Sequence, residues 1–246
     1  MSTPNFRFKR FTVWHDRCAM KVGTDGVLLG AWCPISHQPS AISNTPFRVL
    51  DIGTGSGLIA LMLAQRCPDA HIDAIDIDEG AVEQAKENFE RSVFSHQLSA
   101  HKSSLQDWQN RQSYDFIVSN PPYFRNSLRN PDKGRQTARH TDTLSYDELL
   151  RHSARLLNAN GQLALILPAE AEDEVRRLAE RYSLYITRVT RVYSKASKPA
   201  RRVLMAFFQH TGISGYRDPE ISSLVLEDEK GGRSAAYSEL CKEFYL

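Results

Sequence analysis

What this chain lacks narrows it first. No run of residues reaches the roughly 18 apolar positions that a membrane span requires. The opening stretch, "MSTPNFRFKRFTVW", has no apolar core of the kind a signal peptide carries. The four cysteines (Cys18, Cys33, Cys67, Cys241) form no C-x-x-C pair and no zinc spacing. The eight histidines include no H-E-x-x-H pattern. Reduced thiols, no metal site and a cytoplasmic location are the resulting expectations. A dominant charge is missing too. The net charge is only +2, so global charge gives no argument for a nucleic-acid partner. Repeats and low-complexity tracts are absent. What is present is ordinary in amount: 246 residues, 41% hydrophobic and 24% charged, enough for one well-buried α/β domain.

The pattern changes near residue 47. Before it, "FRFKRFTVW" alternates basic and aromatic residues and predicts a short strand or hairpin. "CAMKVGTDGVLLGAWC" predicts a short helix through Val27, Leu28 and Leu29, capped by Thr24 or Asp25. "PISHQPSAISNTP" reads as a loop. We treat 1–46 as an N-terminal extension packing on a catalytic domain at 47–246. From Phe47 onward, strands and helices alternate. "FRVLDIG", "HIDAIDID", "LSAHKSS", "YDFIVSN" and "QLALILP" are the strands. "LIALMLAQRC", "DEGAVEQAKENFERS", "SYDELLRHSARLLNANG" and "AEDEVRRLAERY" are the helices. The third helix has Ser145 as N-cap, Glu148 in the capping-box position and Gly161 beyond its end. "LYITRVTRVYS" and "RRVLMAFFQH" then follow one another with no helix between, which predicts an antiparallel hairpin at one edge. The expected fold is α/β: a Rossmann-like doubly wound sheet, mostly parallel, with a reversed last strand.

"VLDIGTGSGLIAL" places Gly53, Gly55 and Gly57 between a strand and a helix, where main-chain N–H groups approach a ligand. The dinucleotide fingerprint would need a small residue where Leu58 stands. Asp51 precedes the turn and would repel a pyrophosphate. It suits a ligand with an ammonium or sulfonium group, and S-adenosylmethionine has both and no phosphate. Asp76, about 20 residues beyond Gly57, ends the second strand, where a carboxylate accepts ribose hydroxyls. Ile77 would then lie against an adenine face.

With these residues in place, the chain resembles class I S-adenosylmethionine-dependent methyltransferases over about 45–210. The matching motifs are "DIGTGSG" after strand one, "IDID" after strand two and "NPPY" after strand four. The resemblance implies a seven-stranded sheet with a reversed last strand, and a donor site that includes Thr54 in the glycine loop. It departs after strand three, where many relatives place an Asp on the cofactor adenine. "SSLQDW" offers Ser104, the Leu105 backbone or Asp107 there.

"NPPY" is the acceptor side. An amine conjugated to an aromatic ring has its lone pair delocalised, and two hydrogen-bond acceptors beside it would turn that lone pair toward the methyl. The Asn120 side-chain oxygen and the Pro121 carbonyl are those acceptors, Pro121 and Pro122 fix the turn, and Tyr123 stacks on the ring. The tetrapeptide resembles that of amino methyltransferases acting on adenine, cytosine, guanine or a glutamine side chain. Two basic stretches, 125–139 and 188–202, together with Arg7, Lys9 and Arg10, favour a nucleic-acid substrate over a protein. The flanks "FTVWHDRCAMKVGTDGVLLGAW" and "YSELCKEFYL" resemble the bacterial tRNA (adenine-N6)-methyltransferase family, whose target is the adenine 3′ of the anticodon in a valine tRNA. That resemblance implies that "KVGTDG", through Lys21 and Thr24, lines the methionine end of the donor. A protein glutamine methyltransferase acting on a release factor, another RNA or DNA amino methyltransferase, and a non-enzymatic RNA-binding module are the alternatives.

Overall fold

The computed structural model describes residues 4–18, 21–35, 46–109, 113–122, 144–209 and 218–246. A hairpin of β1 (Asn5–Arg7) and β2 (Thr12–Trp14) opens the chain, followed by α1 (Thr24–Trp32). Then come β3 (Phe47–Ile52), α2 (Leu58–Arg66), β4 (Ala70–Asp76), α3 (Glu79–Glu90), β5 (Leu98–Lys102) and β6 (Tyr114–Ser119). The second half holds α4 (Tyr146–Leu156), β7 (Leu157–Pro168), α5 (Glu172–Glu180), β8 (Leu184–Tyr193), β9 (Ala200–Gln209), β10 (Glu220–Val225) and α6 (Ala235–Leu240).

Eight of these strands form one sheet in the order β10-β8-β9-β7-β6-β3-β4-β5. Only β9 runs against the others: it pairs antiparallel with β7 and with β8, and every other pairing is parallel. The reversed strand is therefore β9, slotted between β7 and β8. An eighth strand, β10, adds beside β8, so the β8–β9 hairpin does not form the sheet edge. β10 has no clear signature in the sequence because only one of its six residues is buried and two are serines.

The chain's order reverses between β3 and β6, so the loops leaving these two neighbouring strands open a crevice at the carboxyl edge. One face of the sheet is covered by α1, α2, α3 and both chain ends, including Phe8, Val13, Tyr237 and Phe244. The other is covered by α4 and α5 through Leu149, Leu150 and Val175. The central strands are buried on both faces, which is why they read as unbroken apolar runs. The chain ends meet: the Lys9 N–H donates to the Phe244 carbonyl at 2.9 Å, and the Phe8 and Tyr245 rings stack 6.0 Å apart.

Two local expectations need correction. α1 is not capped by Thr24 or Asp25. Gly23 holds the extended cap geometry, and both side chains already lie in the first helical turn. α4 has the predicted capping box at Ser145 and Glu148, but it stops at Leu156. β7 starts at once, and residues 158–161 bulge between the pairs Tyr114–Leu157 and Phe116–Gln162, with Asn160 at φ 70°.

Candidate active site

The glycine loop leaves β3 with Gly53, Gly55 and Gly57 at φ of 69°, 55° and 81°. These positive angles explain the residue type, but the three glycines do different work. A Cβ on Gly53 or Gly55 would meet nothing within 4 Å. A Cβ on Gly57 would lie 2.4 Å from Cε1 of Phe89 on α3. The first two keep a cavity floor open, and the third lets α3 pack against the loop.

Two adjoining cavities of about 250 and 360 Å³ share Gly53, Gly55 and Asn120. Asp76, Ile77 and Ser104 line the first, with Pro122 at its rim. Lys21, Thr24 and Thr54 line the second. Asp51 and Gly57 stand behind these walls, and Pro121 is buried beside them. Tyr123 and the whole stretch 125–139 lie outside the described residues.

The Asp76 carboxylate accepts the Gly55 N–H at 2.9 Å and the Asp78 N–H at 3.0 Å. It thereby fixes the loop, and it keeps lone pairs for further donors. Asp78 caps α3 by accepting from the Ala81 N–H at 2.8 Å. Ile77 is 56% exposed, an apolar wall in an otherwise polar mouth. The Ser104 hydroxyl donates to Asp107 at 2.7 Å and accepts the Asp107 N–H. Ser104 and Leu105 line the cavity, and Asp107 is turned to Ser104.

Asp51 is fully buried and accepts from the Thr54 hydroxyl at 2.7 Å. Burial pushes its pKa up to about 7, the hydrogen bonds from Thr54 and the Ala60 backbone oppose this, and the charge of Asp76 adds to it. Asn120 follows β6, whose end is tied to β3 by the Ser119 hydroxyl donating to the Ile52 carbonyl at 2.9 Å. The Asn120 Oδ1 is shielded from solvent and has no hydrogen-bond partner among the described residues. A buried polar atom left unmet at the junction of two cavities marks a place for a ligand donor.

Cys18, Gln106 and Leu144 also line the first cavity, and no spacing in the sequence pointed to them. Burial first, then the charges of Asp76, Asp78 and Asp16, push the Cys18 thiol up to about 11, so it carries no thiolate near neutrality. Among the described residues, no group of three or more His, Cys, Asp and Glu is placed to hold a metal ion, and no helix is long and apolar enough to cross a membrane.

The basic stretch 188–202 looks different in space. Arg191 makes a two-point contact with Glu172, at 2.8 and 2.7 Å. Arg202 pairs with Asp25 at 2.9 Å, Arg188 with Glu220 at 3.5 Å and Lys195 with Glu227 at 3.4 Å. Lys198 and Arg201 are exposed and have no ion pair among the described residues.

The model of the methyltransferase small domain family matches residues 38–184. A tRNA1(Val) (adenine(37)-N6)-methyltransferase of Bacteroides thetaiotaomicron is 45% identical over 100% of this chain and 99% of its own length. The protein of that description from Aeromonas hydrophila is 43% identical, covering 98% of this chain and 97% of its own. Among solved structures, an Agrobacterium tumefaciens protein described as a predicted O-methyltransferase superposes with a TM-score of 0.65 at 14% identity, over 89% of this chain and 96% of that one.

Proposed function

The chain belongs to the methyltransferase small domain family, and on that premise we propose that it transfers a methyl group from S-adenosylmethionine to the N6 amine of adenine 37 in a valine tRNA. The observation that carries the chemistry is the buried, unmet Oδ1 of Asn120 between the two cavities.

The cavities fit this donor. The open floor at Gly53 and Gly55 accepts close backbone approach, and Asp76 offers carboxylate oxygens to ribose hydroxyls. Ile77 supplies an apolar face for adenine, with the Ser104–Leu105 wall beside it. Lys21, Thr24 and Thr54 surround the methionine end in the second cavity. Bound there, S-adenosylmethionine supplies a methyl carbon on a positively charged sulfur, which leaves as a neutral thioether.

The chain's own part is positioning. Asn120 Oδ1 accepts one hydrogen of the target amine and the Pro121 carbonyl accepts the other. With both hydrogens held, the nitrogen is drawn from planar toward tetrahedral geometry, and its lone pair localises on the nitrogen facing the methyl carbon. Pro121 and Pro122 fix φ at these positions, so the turn has little freedom to lose on binding. Tyr123 stacks on the extruded base. The surplus proton of the methylated amine passes to solvent.

For the RNA, the stretch 125–139 and the exposed Lys198 and Arg201 provide phosphate contacts. A tRNA substrate fits a cytoplasmic location. The test is incubation of the protein with labelled S-adenosylmethionine and total tRNA lacking this modification, followed by nucleoside digestion and mapping. N6-methyladenosine at position 37 is expected. Label in a release factor instead of RNA would replace this function with glutamine methylation.

A further inference from the structure

Behind the glycine loop lies a pair of buried amides that the methyl-transfer chemistry does not use. Asn88 on α3 has no exposed surface, and all its hydrogen bonds go to main chain. Its Oδ1 accepts the Trp14 N–H at 2.9 Å. Its Nδ2 donates to the Trp14 carbonyl and to the Ser56 carbonyl, both at 2.8 Å. One turn earlier, the buried Gln84 accepts the Arg17 N–H on Oε1 at 3.2 Å. Trp14 ends β2, Arg17 adjoins the cavity-lining Cys18, and Ser56 sits within the glycine loop. Two segments far apart in sequence, 14–17 and the glycine loop, therefore meet on one helix face.

An asparagine is a poor helix interior residue, and an apolar side chain would suit a dry helix face better. Here each donor and acceptor of the amide is met by main chain: the part-buried N–H and carbonyl of Trp14 and the buried carbonyl of Ser56. Holding the Ser56 carbonyl sets the plane of the Ser56–Gly57 peptide, at the last glycine of the loop.

We propose that Asn88 is a positioning residue for the methyl donor: it locks segment 14–18 onto the glycine loop and makes the N-terminal hairpin a structural part of the donor site. The proposal rests on the methyltransferase function above and deepens it. Coupling is reciprocal, so a ligand that needs the ordered loop also tightens the segment tied to it.

The experiment uses the full chain and S-adenosylhomocysteine as probe, followed by calorimetry and amide hydrogen exchange. In the unaltered protein, the probe slows exchange at Trp14 and Arg17. In Asn88→Ala, the dissociation constant rises roughly tenfold, as the removal of buried hydrogen bonds implies, and the donor KM follows it. At saturating donor, kcat stays within about threefold, since no group touching the reacting atoms has changed. Gln84→Ala removes only the tether to the Arg17 N–H, so its affinity falls between the two; it also serves if the Asn88→Ala variant does not fold. A folded variant with lower melting temperature and unaltered affinity would overturn the proposal, and so would unchanged exchange at Trp14 on binding. If the unaltered protein fails to bind the probe, the methyltransferase function fails and this inference goes with it.

Discussion

Asn120 is the residue on which chemistry and binding separate most cleanly. Its Oδ1 is unmet, so Asn120→Ala breaks no internal hydrogen bond through that atom. The expected result is a drop in turnover of roughly a hundredfold, typical of removing one preorganised polar group, with donor affinity nearly kept. Donor affinity by calorimetry and turnover on tRNA check this pair, and a fall in affinity alone would give Asn120 a different part. Asp51 gives a pH signature. Its folded pKa of about 7 lies above its ordinary 3.8, so the folded state holds a proton that the unfolded state releases. Its contribution to stability is therefore greatest below the unfolded value and is lost as pH rises through about 4 to 7, with a slope of at most about 1.4 kcal/mol per pH unit. Asp51→Asn should flatten the stability profile in that window, measured by denaturant unfolding at several pH values. A cationic donor on the far side of the glycine loop favours the ionised carboxylate, so affinity in the unaltered protein should rise toward pH 7, and it should not in Asp51→Asn. Both positions could be named as candidates from the sequence because each sits at a fixed offset from a strand end. Asn88 was not, because its partners lie 32 and 74 positions away and helical spacing shows only that its face is inward.

At the scale of elements, the three loop glycines make separable predictions. Gly57→Ala forces a side chain into positive φ and into Phe89, and should cost on the order of 3 kcal/mol in unfolding free energy. Gly55→Ala meets no atom, so it should cost about 1–2 kcal/mol from backbone strain alone while weakening donor binding more than Gly57→Ala does in protein that remains folded. Thermal melts set beside calorimetry separate the two, and equal effects on binding would mean that the cavity floor is not at Gly55. The strand–helix alternation from Phe47 to Gln209 was legible because buried parallel strands and amphipathic helices have different periods. The α4 capping box was legible for a local reason, since Ser145 and Glu148 are three residues apart. The end of α4 was not, because β7 captures Leu157 through pairing with Tyr114, a choice made by the sheet. β10 escaped for the same kind of reason: an exposed edge strand is held by its neighbour's hydrogen bonds more than by its own side chains.

For the whole molecule, the proposed RNA partner has to be held by a chain with almost no net charge. β8 runs parallel to β7 and β3, so its carboxyl end, with the turn at 194–199, opens on the same sheet edge as the crevice. In the sequence the stretch 188–202 holds six basic residues and no acid. In the fold, Glu172, Glu220, Glu227 and Asp25 arrive from elsewhere and pair with four of them. Ion pairing is a tertiary property, and counting charges along the chain could not reveal it. The Glu172 carboxyl shows how firmly one pair is set: burial raises its pKa, yet the Arg191 and Arg176 hydrogen bonds and charges outweigh this and hold it below the usual range. Arg191→Ala should therefore lower stability by about 1–2 kcal/mol, discounted for the arginine's partial exposure, and leave the salt dependence of tRNA binding unchanged. Lys198 and Arg201 should behave the other way. Replacing both by alanine should leave the melting temperature within about a degree, as expected for exposed positions. The slope of log affinity against log salt should become shallower by about 1–2, because each phosphate left without its cation releases roughly one counterion fewer on binding. Filter binding of valine tRNA across a salt series reads this directly. If the double variant keeps the full slope, the turn is not at the interface and the phosphates are held by 125–139; if Arg191→Ala flattens the slope, the Glu172 pair opens to receive RNA.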